Sequence, residues 1–254
     1  MSHVPFGERP EWADVTPIPQ DDGPTAVSAI AYPAYAKDTM DYFRAVMAGK
    51  ELSQRALDLT GEVIECNAAN YTAWYYRRLC LEALGVDLRK ELEFVQAVAD
   101  ENPKNYQIWY HRRVIVEKLG DPSGELEVTA AVLADESKNY HAWAHRCAVF
   151  CLFVCCEASD RGCVCRQWVV EAFKLWDGEL AYVEDLLQAD VRNNSAWNHR
   201  WFVISHSEGY TPEVRAREVD YAFGHLQLVV SNPSPWAYLL GILRGQDLAA
   251  FPNV

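Results

Sequence analysis

The sequence predicts an all-α protein made of repeated antiparallel helical pairs. Three ten-residue stretches support this fold class: NYTAWYYRRL from Asn70, NYQIWYHRRV from Asn105 and NYHAWAHRCA from Asn139. They share the offsets of their Trp and Arg residues and follow one another at a nearly constant spacing. A period of this length is typical of stacked helical hairpins, which bury a continuous core between neighbouring units. We therefore expect an αα-hairpin repeat superhelix of about five to six helical pairs.

Five tryptophans mark the repeats: Trp74, Trp109, Trp143, Trp197 and Trp236. An asparagine stands four residues before each of them: Asn70, Asn105, Asn139, Asn193 and Asn232. An arginine stands three residues after each of the first four: Arg77, Arg112, Arg146 and Arg200. A glutamate precedes each of the last four at one fixed separation: Glu91, Glu125, Glu179 and Glu218. The shared spacing indicates that every unit has the same local structure.

The third unit shows how this pattern predicts a hairpin. Its first helix has apolar residues at helical spacing, which predict one apolar face: Leu126, Ala130, Leu133 and Ala134. The asparagine of the unit is expected to cap the second helix by accepting a bond from a backbone N–H. We expect the tryptophans to lie in the core. The arginines are expected to be buried groups that pair with acidic neighbours rather than catalysts.

Composition excludes several classes of function. The chain has 254 residues, half of them apolar, with 23 Lys and Arg against 36 Asp and Glu and a formal net charge of -13. An acidic protein of this kind is not expected to bind nucleic acid or anionic membrane broadly. No transmembrane segment or secretory signal is expected, and the expected compartment is the cytoplasm, where cysteines stay reduced. Residues 1–30 are predicted to form an extended Pro-rich arm before a repeat domain at 31–254.

One interval breaks the repeat. Trp143 and Trp197 are farther apart in the sequence than any other two consecutive marker tryptophans, and the excess lies between Arg146 and Glu179. Removing residues 147–166 leaves WAHRQWVVEAFKLWDGELA, which aligns without a gap with WYHRRVIVEKLGDPSGELE of the preceding unit. Our preferred hypothesis is therefore an in-frame insertion, for example an unspliced intron or an error in the gene model.

The same segment contains six of the eight cysteines, which leaves two other interpretations open. Clustered thiolates bind zinc, but the segment has neither a paired C-x-x-C nor a histidine. A disulfide cluster conflicts with the expected compartment. No set of zinc ligands, Ser/His/Asp arrangement or Gly-rich phosphate loop stands out elsewhere in the chain.

Several longer strings are more specific than the period alone: EWADVTPIPQDDGP, MDYFRAVMAG, NAANYTAWYYRR, NPKNYQIWYHRRVIVEKLGDPSGELE, KNYHAWAHR, QWVVEAFKLWDGELAYVEDLLQADVRNNSAWNHRWFVIS and PWAYLLGIL. With them the chain resembles the α subunit shared by protein farnesyltransferase and protein geranylgeranyltransferase type I. The resemblance extends from Glu11 to the C-terminus, apart from residues 147–166. Family members usually continue with more helices after the fifth tryptophan, so we expect the C-terminal end here to be truncated.

The resemblance implies a crescent of helical hairpins that wraps around a β subunit. That partner would hold the catalytic zinc, and magnesium would assist departure of the diphosphate. The heterodimer would transfer a farnesyl or geranylgeranyl group from its diphosphate to the cysteine of a C-terminal CaaX motif. In this family the β subunit determines which isoprenoid is used.

The resemblance also assigns roles to residues at the starts of the second helices. Lys104 would stabilise the leaving diphosphate, with Tyr106 beside it at the catalytic centre. Gln107 would contact the C-terminal carboxylate of the peptide, and Tyr71 would form a wall of the pocket for its last residue. The other substrate-binding residues, expected near the diphosphate, are Asn139, Tyr140 and His141.

From the residues alone, the expectations are less specific. A lysine just before a helix start makes a plausible anion site, although a solvated loop lysine fits the same pattern. The tyrosines at 71, 106 and 140 recur once per unit, which predicts packing between units. Two other functions stay open: the α subunit of Rab geranylgeranyltransferase, and a helical-repeat scaffold that binds peptides without chemistry.

Overall fold

A computed structural model of the protein describes residues 4–23, 31–146, 169–246 and 251. Over these residues the chain forms twelve α-helices and two short 3-10 turns, with no β-strand. The all-α fold class is therefore confirmed. The chain divides into two compact units, Met1–Asp121 and Pro122–Val254. The predicted insertion at 147–166 lies outside the described residues.

The first unit contains five helices: α1 (Ala34–Gly49), α2 (Gln54–Cys66), α3 (Tyr71–Leu84), α4 (Leu88–Glu101) and α5 (Tyr106–Leu119). Helix α2 pairs with α3, α4 pairs with α5, and α1 packs on α2. The second helices of the two pairs, α3 and α5, also contact each other. The unit is therefore a stack of two helical hairpins that follows a single leading helix.

The second unit contains the other seven: α6 (Glu125–Asp135), α7 (Tyr140–Arg146), α8 (Val169–Phe173), α9 (Glu179–Ala189), α10 (Asn194–His206), α11 (Pro212–Leu228) and α12 (Pro233–Leu243). Its pairs are α6 with α7, α9 with α10, and α11 with α12. Together the described parts of the two units supply five helical pairs, in agreement with the repeat count read from the sequence.

The N-terminal arm is not extended throughout. Short 3-10 turns at Phe6–Glu8 and Pro10–Trp12 bring the rings of Phe6 and Trp12 onto Tyr42 of α1, with centroids 5.1 and 5.7 Å from the tyrosine ring. All three rings are buried. Arg9 then donates two hydrogen bonds to Glu62 of α2, at 2.6 and 3.0 Å. The arm is therefore attached to the repeat by both apolar and charged contacts.

Each second helix begins with the same two side-chain interactions, an asparagine cap and a hydrogen bond from the tryptophan, which explains the spacing of Asn and Trp. In α3 the side-chain oxygen of Asn70 accepts the backbone N–H groups of Thr72 and Ala73, and the indole N–H of Trp74 donates to the carbonyl of Ala68 at 2.8 Å. The tryptophans of the other units bond the carbonyl six residues earlier in the same way: Trp109 to Pro103, Trp143 to Ser137, Trp197 to Val191 and Trp236 to Val230. The asparagine caps the helix while the tryptophan holds the preceding turn against it.

Four of the five tryptophans are buried, as predicted, but the prediction is wrong for Trp236, which is 42% exposed. The reason is the absence of a covering unit in the described residues. Trp197 packs against Tyr221 and Tyr238 of the next pair, with ring centroids 5.7 and 5.2 Å away. No helical pair is described beyond α12, so nothing there covers the last indole.

The arginines are buried pairing groups, as predicted. Arg77 donates to both carboxylate oxygens of Glu91 at 2.7 Å, and Nε2 of His111 lies 2.7 Å from the same carboxylate. The second unit repeats the arrangement with Arg146, Glu179 and His199, and again with Arg200, Glu218 and Tyr238. Burial acts to raise the pKa of Glu91, but the bonds from His111 and Arg77 outweigh it and lower that pKa.

The predicted apolar face of α6 is partly wrong. Leu133 is buried, but Ala134 is exposed, and Glu125 and Thr129 lie inward. The guanidinium of Arg146 on α7 explains the inward position of Thr129. It donates to the hydroxyl of Thr129 at 2.9 Å, so the inward face of α6 needs polar groups at the level of the arginine.

Candidate functional site

The candidate residues lie where the second helices begin. In the first unit, Lys104 directly precedes Asn105, whose side chain caps α5 by accepting the N–H of Gln107 at 2.9 Å. The lysine is exposed and Gln107 is half-buried. The first N–H groups of a helix and its dipole both favour negative charge, and the ammonium adds to this field. The start of α5 therefore favours negatively charged groups.

The tyrosines that begin α3 and α5 do not pack between neighbouring repeats, so the prediction that they pack there is wrong. Tyr71 is 70% exposed and Tyr106 is 63% exposed. Each is the first residue of its helix, directly after the asparagine cap. Large exposed aromatic rings at a helix start are suited to contacts with a ligand or a partner protein.

Two further tyrosines were missed by the sequence reasoning. Tyr75 and Tyr110 are exposed one turn after Tyr71 and Tyr106 on the same helices. The guanidinium of Arg78 lies 5.2 Å from the ring centroid of Tyr110. The spacing of four residues within each helix was the available signal, because residues so spaced share a helix face. Helices α3 and α5 thus display four tyrosines on the surface of the first unit.

In the second unit, Asn139, Tyr140 and His141 occupy the corresponding helix start. Asn139 is buried and its side-chain oxygen accepts the N–H groups of His141 and Ala142, so it holds the start of α7 in place. Tyr140 is exposed and meets the half-buried ring of His141 edge to face, with centroids 5.5 Å apart. Burial lowers the pKa of His141 below its ordinary value, so the ring is neutral at pH 7.

The seven candidates therefore divide between the two units. Lys104, Tyr106 and Gln107 lie together at the start of α5, and Tyr71 begins the neighbouring helix α3. Residues 139–141 lie together in the other unit. Each group follows the same local rule, in which an asparagine cap is followed directly by an exposed tyrosine.

Metal ligands and membrane spans are not found in the part of the chain that the structure describes. No group of three or more His, Cys, Asp or Glu residues is placed there to hold a metal ion. Cys66 and Cys80 are free thiols within these ranges, and burial raises the pKa of both. No described helix has the length and apolar character that crossing a membrane requires.

The described hairpins share an asparagine cap, a hydrogen bond from a tryptophan and a buried arginine–glutamate pair. These features define a class of helical-repeat proteins, and a family model identifies that class. The model for the protein prenyltransferase alpha subunit repeat matches residues 53–84, 88–119, 122–153 and 176–207. Each match begins at or near the start of the first helix of a pair and continues into the second helix.

Two individual relatives identify the family within this class. The protein farnesyltransferase/geranylgeranyltransferase type-1 subunit alpha of Dictyostelium discoideum is 44% identical, over 99% of this chain and 75% of its own length. Its counterpart from Pisum sativum is 47% identical, over 96% of this chain and 68% of its own length. The chain belongs to the family of these type-1 alpha subunits.

A solved structure agrees with this assignment. A chain of Candida albicans protein geranylgeranyltransferase-I, complexed with GGPP, matches with a TM-score of 0.79 and 31% identity. The match covers 93% of the present chain and 76% of that one. By contrast, a geranylgeranyl transferase type-2 subunit alpha from Saccharomyces cerevisiae is 32% identical over only 28% of this chain, which disfavours the Rab-type alternative.

Proposed function

We propose that this chain acts as the α subunit of a heterodimeric protein prenyltransferase. With a β subunit, it supports transfer of a farnesyl or geranylgeranyl group from the isoprenoid diphosphate to the cysteine of a C-terminal CaaX motif. The observation that carries this proposal is the identity of 44% and 47% to two type-1 alpha subunits over nearly the whole chain. A peptide-binding scaffold without chemistry would not require so specific a likeness.

Lys104 and Tyr106 are proposed to act at the departing diphosphate. When the bond from the isoprenoid to its diphosphate breaks, negative charge grows on the leaving oxygens and is stabilised by nearby cations and hydrogen-bond donors. Lys104 is exposed beside the N-terminal end of α5, so its ammonium and the helix dipole act in the same direction. The hydroxyl of Tyr106, the first residue of that helix, supplies a neutral donor.

The remaining candidates are proposed to position substrates. Gln107, half-buried behind Tyr106, offers an amide to the C-terminal carboxylate of the peptide, and the exposed ring of Tyr71 forms a wall for its last side chain. Tyr140 and the neutral ring of His141 offer hydrogen bonds to the diphosphate or to its bound water. Asn139 contributes through the cap that fixes both neighbours.

The metal chemistry is proposed to belong to the partner. Zinc bound by the β subunit would activate the cysteine thiol, and magnesium would assist the diphosphate. The described residues of this chain do not fit a metal site, so no step of the reaction is assigned to a metal held here. The proposed compartment is the cytoplasm.

Co-expression with a β subunit tests the proposal. The chain should co-purify with the β subunit of a farnesyltransferase or of a geranylgeranyltransferase type I, and the complex should prenylate a fluorescent CaaX peptide. A Cys→Ser version of that peptide is the negative control. Co-purification without transfer would favour the scaffold function, and a chain that binds neither β subunit would contradict the proposal.

A further inference from the structure

Helices α3, α4 and α5 of the first unit border a cavity of about 210 Å³. Its apolar wall consists of Leu81 from α3, Val86 from the turn that follows, Leu88 from α4 and Ile115 from α5. An apolar cavity of about 150 Å³ accommodates a benzene ring, so this one has room for a ring that carries a small substituent.

One cationic side chain of the wall, Arg78, has no counterion. Its side chain is half-buried, and its Nη1 lies 3.3 Å from Nδ1 of His111, which must accept because a guanidinium only donates. Among the described residues no carboxylate forms an ion pair with it. Burial lowers the pKa of Arg78, as expected for a cation that has lost part of its water without gaining a negative partner.

The carboxylate at the usual spacing is already bound elsewhere. In α5, Arg113 donates to Glu117, four residues later, at 2.7 Å. In α3 the residue four after Arg78 is Glu82, but its carboxylate accepts from the ammonium of Lys118 on α5 at 2.9 Å. Glu82 and Lys118 also line the cavity, and their charges cancel. The charged groups of the wall therefore sum to one positive charge, that of Arg78.

The neighbouring arginine shows how the same helix treats a guanidinium that serves only the fold. Arg77 donates to both carboxylate oxygens of Glu91, and its Nη1 also donates to the carbonyl of Leu57 and the hydroxyl of Thr60. Arg78 has one such bond, to an imidazole, so most of its N–H donors have no acceptor in the described chain.

The guanidinium of Arg78 is also held in place before any ligand arrives. The ring centroid of Tyr110 lies 5.2 Å from it, and the bond to His111 fixes one of its nitrogens. A fixed guanidinium loses little conformational entropy when it binds, and its planar fork matches the two oxygens of a carboxylate.

We propose that this cavity binds a small organic carboxylate whose apolar part is about the size of one aromatic ring. The carboxylate accepts hydrogen bonds from Arg78, and the ring contacts Leu81, Leu88 and Ile115. A neutral ligand leaves the guanidinium uncompensated, and a small inorganic anion leaves the apolar wall uncovered. This site is additional to the proposed prenyl transfer and does not depend on it.

Isothermal titration of benzoate into the full chain at pH 7.5 tests the proposal. We expect saturable binding with a Kd of about 0.1–1 mM, the range for a ligand of this size with one charged contact. Benzyl alcohol keeps the ring without the charge, and acetate keeps the charge without the ring. Each should bind at least about 10-fold more weakly than benzoate.

Two substitutions separate the charge of the site from its space. Arg78→Gln removes the charge but keeps an amide that can donate to His111, and it should weaken benzoate binding at least about 10-fold. Val86→Phe fills the cavity without altering any charge and should weaken binding by a similar factor. Arg113→Gln is the matched control, since this arginine does not line the cavity, and it should change Kd by less than about 2-fold.

Thermal unfolding of each variant shows whether it is folded. No saturable benzoate binding up to about 10 mM would overturn the proposal, as would binding of benzyl alcohol as tight as that of benzoate. Equal effects of Arg78→Gln and Arg113→Gln would also overturn it. If Arg78→Gln does not fold, Val86→Phe and the comparison of the three ligands decide. None of these titrations measures prenyl transfer, so the proposal can fail while the proposed function stands, and the reverse.

Discussion

The guanidinium of Arg146 donates two hydrogen bonds to the carboxylate of Glu179, although the two residues lie far apart in the sequence. The equivalent pairs, Arg77 with Glu91 and Arg200 with Glu218, are much closer together along the chain and differ from each other in separation. The same contact at three sequence separations shows that the unit is defined by its buried ion pair rather than by a fixed period.

Removing one partner of such a pair should be costly. Glu91→Gln leaves Arg77 buried without a compensating charge, and we expect a loss of roughly 3–5 kcal/mol in the free energy of unfolding. Urea denaturation measures this loss. Glu93→Gln changes an exposed carboxylate on the same helix and should alter stability by less than about 0.5 kcal/mol. Equal effects of the two substitutions would show that the ion pair is not structural.

Stability should fall as the pH drops below the ordinary histidine pKa. Burial lowers the pKa of His111 and of His199 in the folded chain, whereas the unfolded chain titrates near about 6.5. Above that pH both states are neutral at these rings and the full stability is present. Below it the unfolded state binds protons that the folded state does not, so the free energy of unfolding decreases as pH falls toward the folded pKa values.

Denaturation curves at pH 7.5, 6.5 and 5.5 measure this effect, with at most about 1.4 kcal/mol lost per histidine for each pH unit. The ring resonances of His111 and His199 should show that both imidazoles stay neutral to a lower pH than an ordinary histidine does. Constant stability from pH 7.5 to 5.5 would contradict the assignment of these rings as buried and neutral.

Removing an asparagine cap should lower the free energy of unfolding by more than the loss of its helix-start hydrogen bonds alone. Asn193 accepts the N–H groups of Ser195 and Ala196, and its amide also donates to the carbonyl of Ser137 at 3.3 Å in the preceding pair. We expect Asn193→Ala to cost about 1–3 kcal/mol in chemical denaturation. The neighbouring Asn194 is exposed, so Asn194→Ala is the matched control and should be close to neutral. A neutral Asn193→Ala would remove the cap from the account of the repeat.

The asparagine, tryptophan and arginine positions could be predicted because each is fixed by local geometry that recurs with the period. The histidines at 111, 145 and 199 also recur, two residues after a tryptophan, yet their role depends on a carboxylate of the preceding helix and became visible only in the folded chain. The exposure of Trp236 and of the helix-start tyrosines could not be read from the pattern, because it depends on which neighbouring units cover them.

Substitution of an exposed tyrosine should reduce prenyl transfer without lowering the stability of the chain. Tyr106→Ala removes a ring that is mostly in solvent, so the unfolding free energy should change by less than about 0.5 kcal/mol while prenyl transfer by the heterodimer falls. Tyr76→Ala, by contrast, removes a buried ring whose hydroxyl donates to the carbonyl of Glu51 at 2.8 Å, and should cost about 3–5 kcal/mol. If Tyr106→Ala destabilised the chain as much as Tyr76→Ala, its ring would belong to the core and not to a site.

Single-turnover prenyl transfer by the Lys104→Ala heterodimer tests the central claim most directly. The ammonium is proposed to stabilise charge that develops as the diphosphate leaves, so the chemical step should slow by about 10–1,000-fold while co-purification with the β subunit is unchanged. Lys90→Ala, at an exposed position on α4, controls for loss of charge. An unchanged chemical step in Lys104→Ala would contradict the account, as would a loss of activity explained entirely by failed assembly.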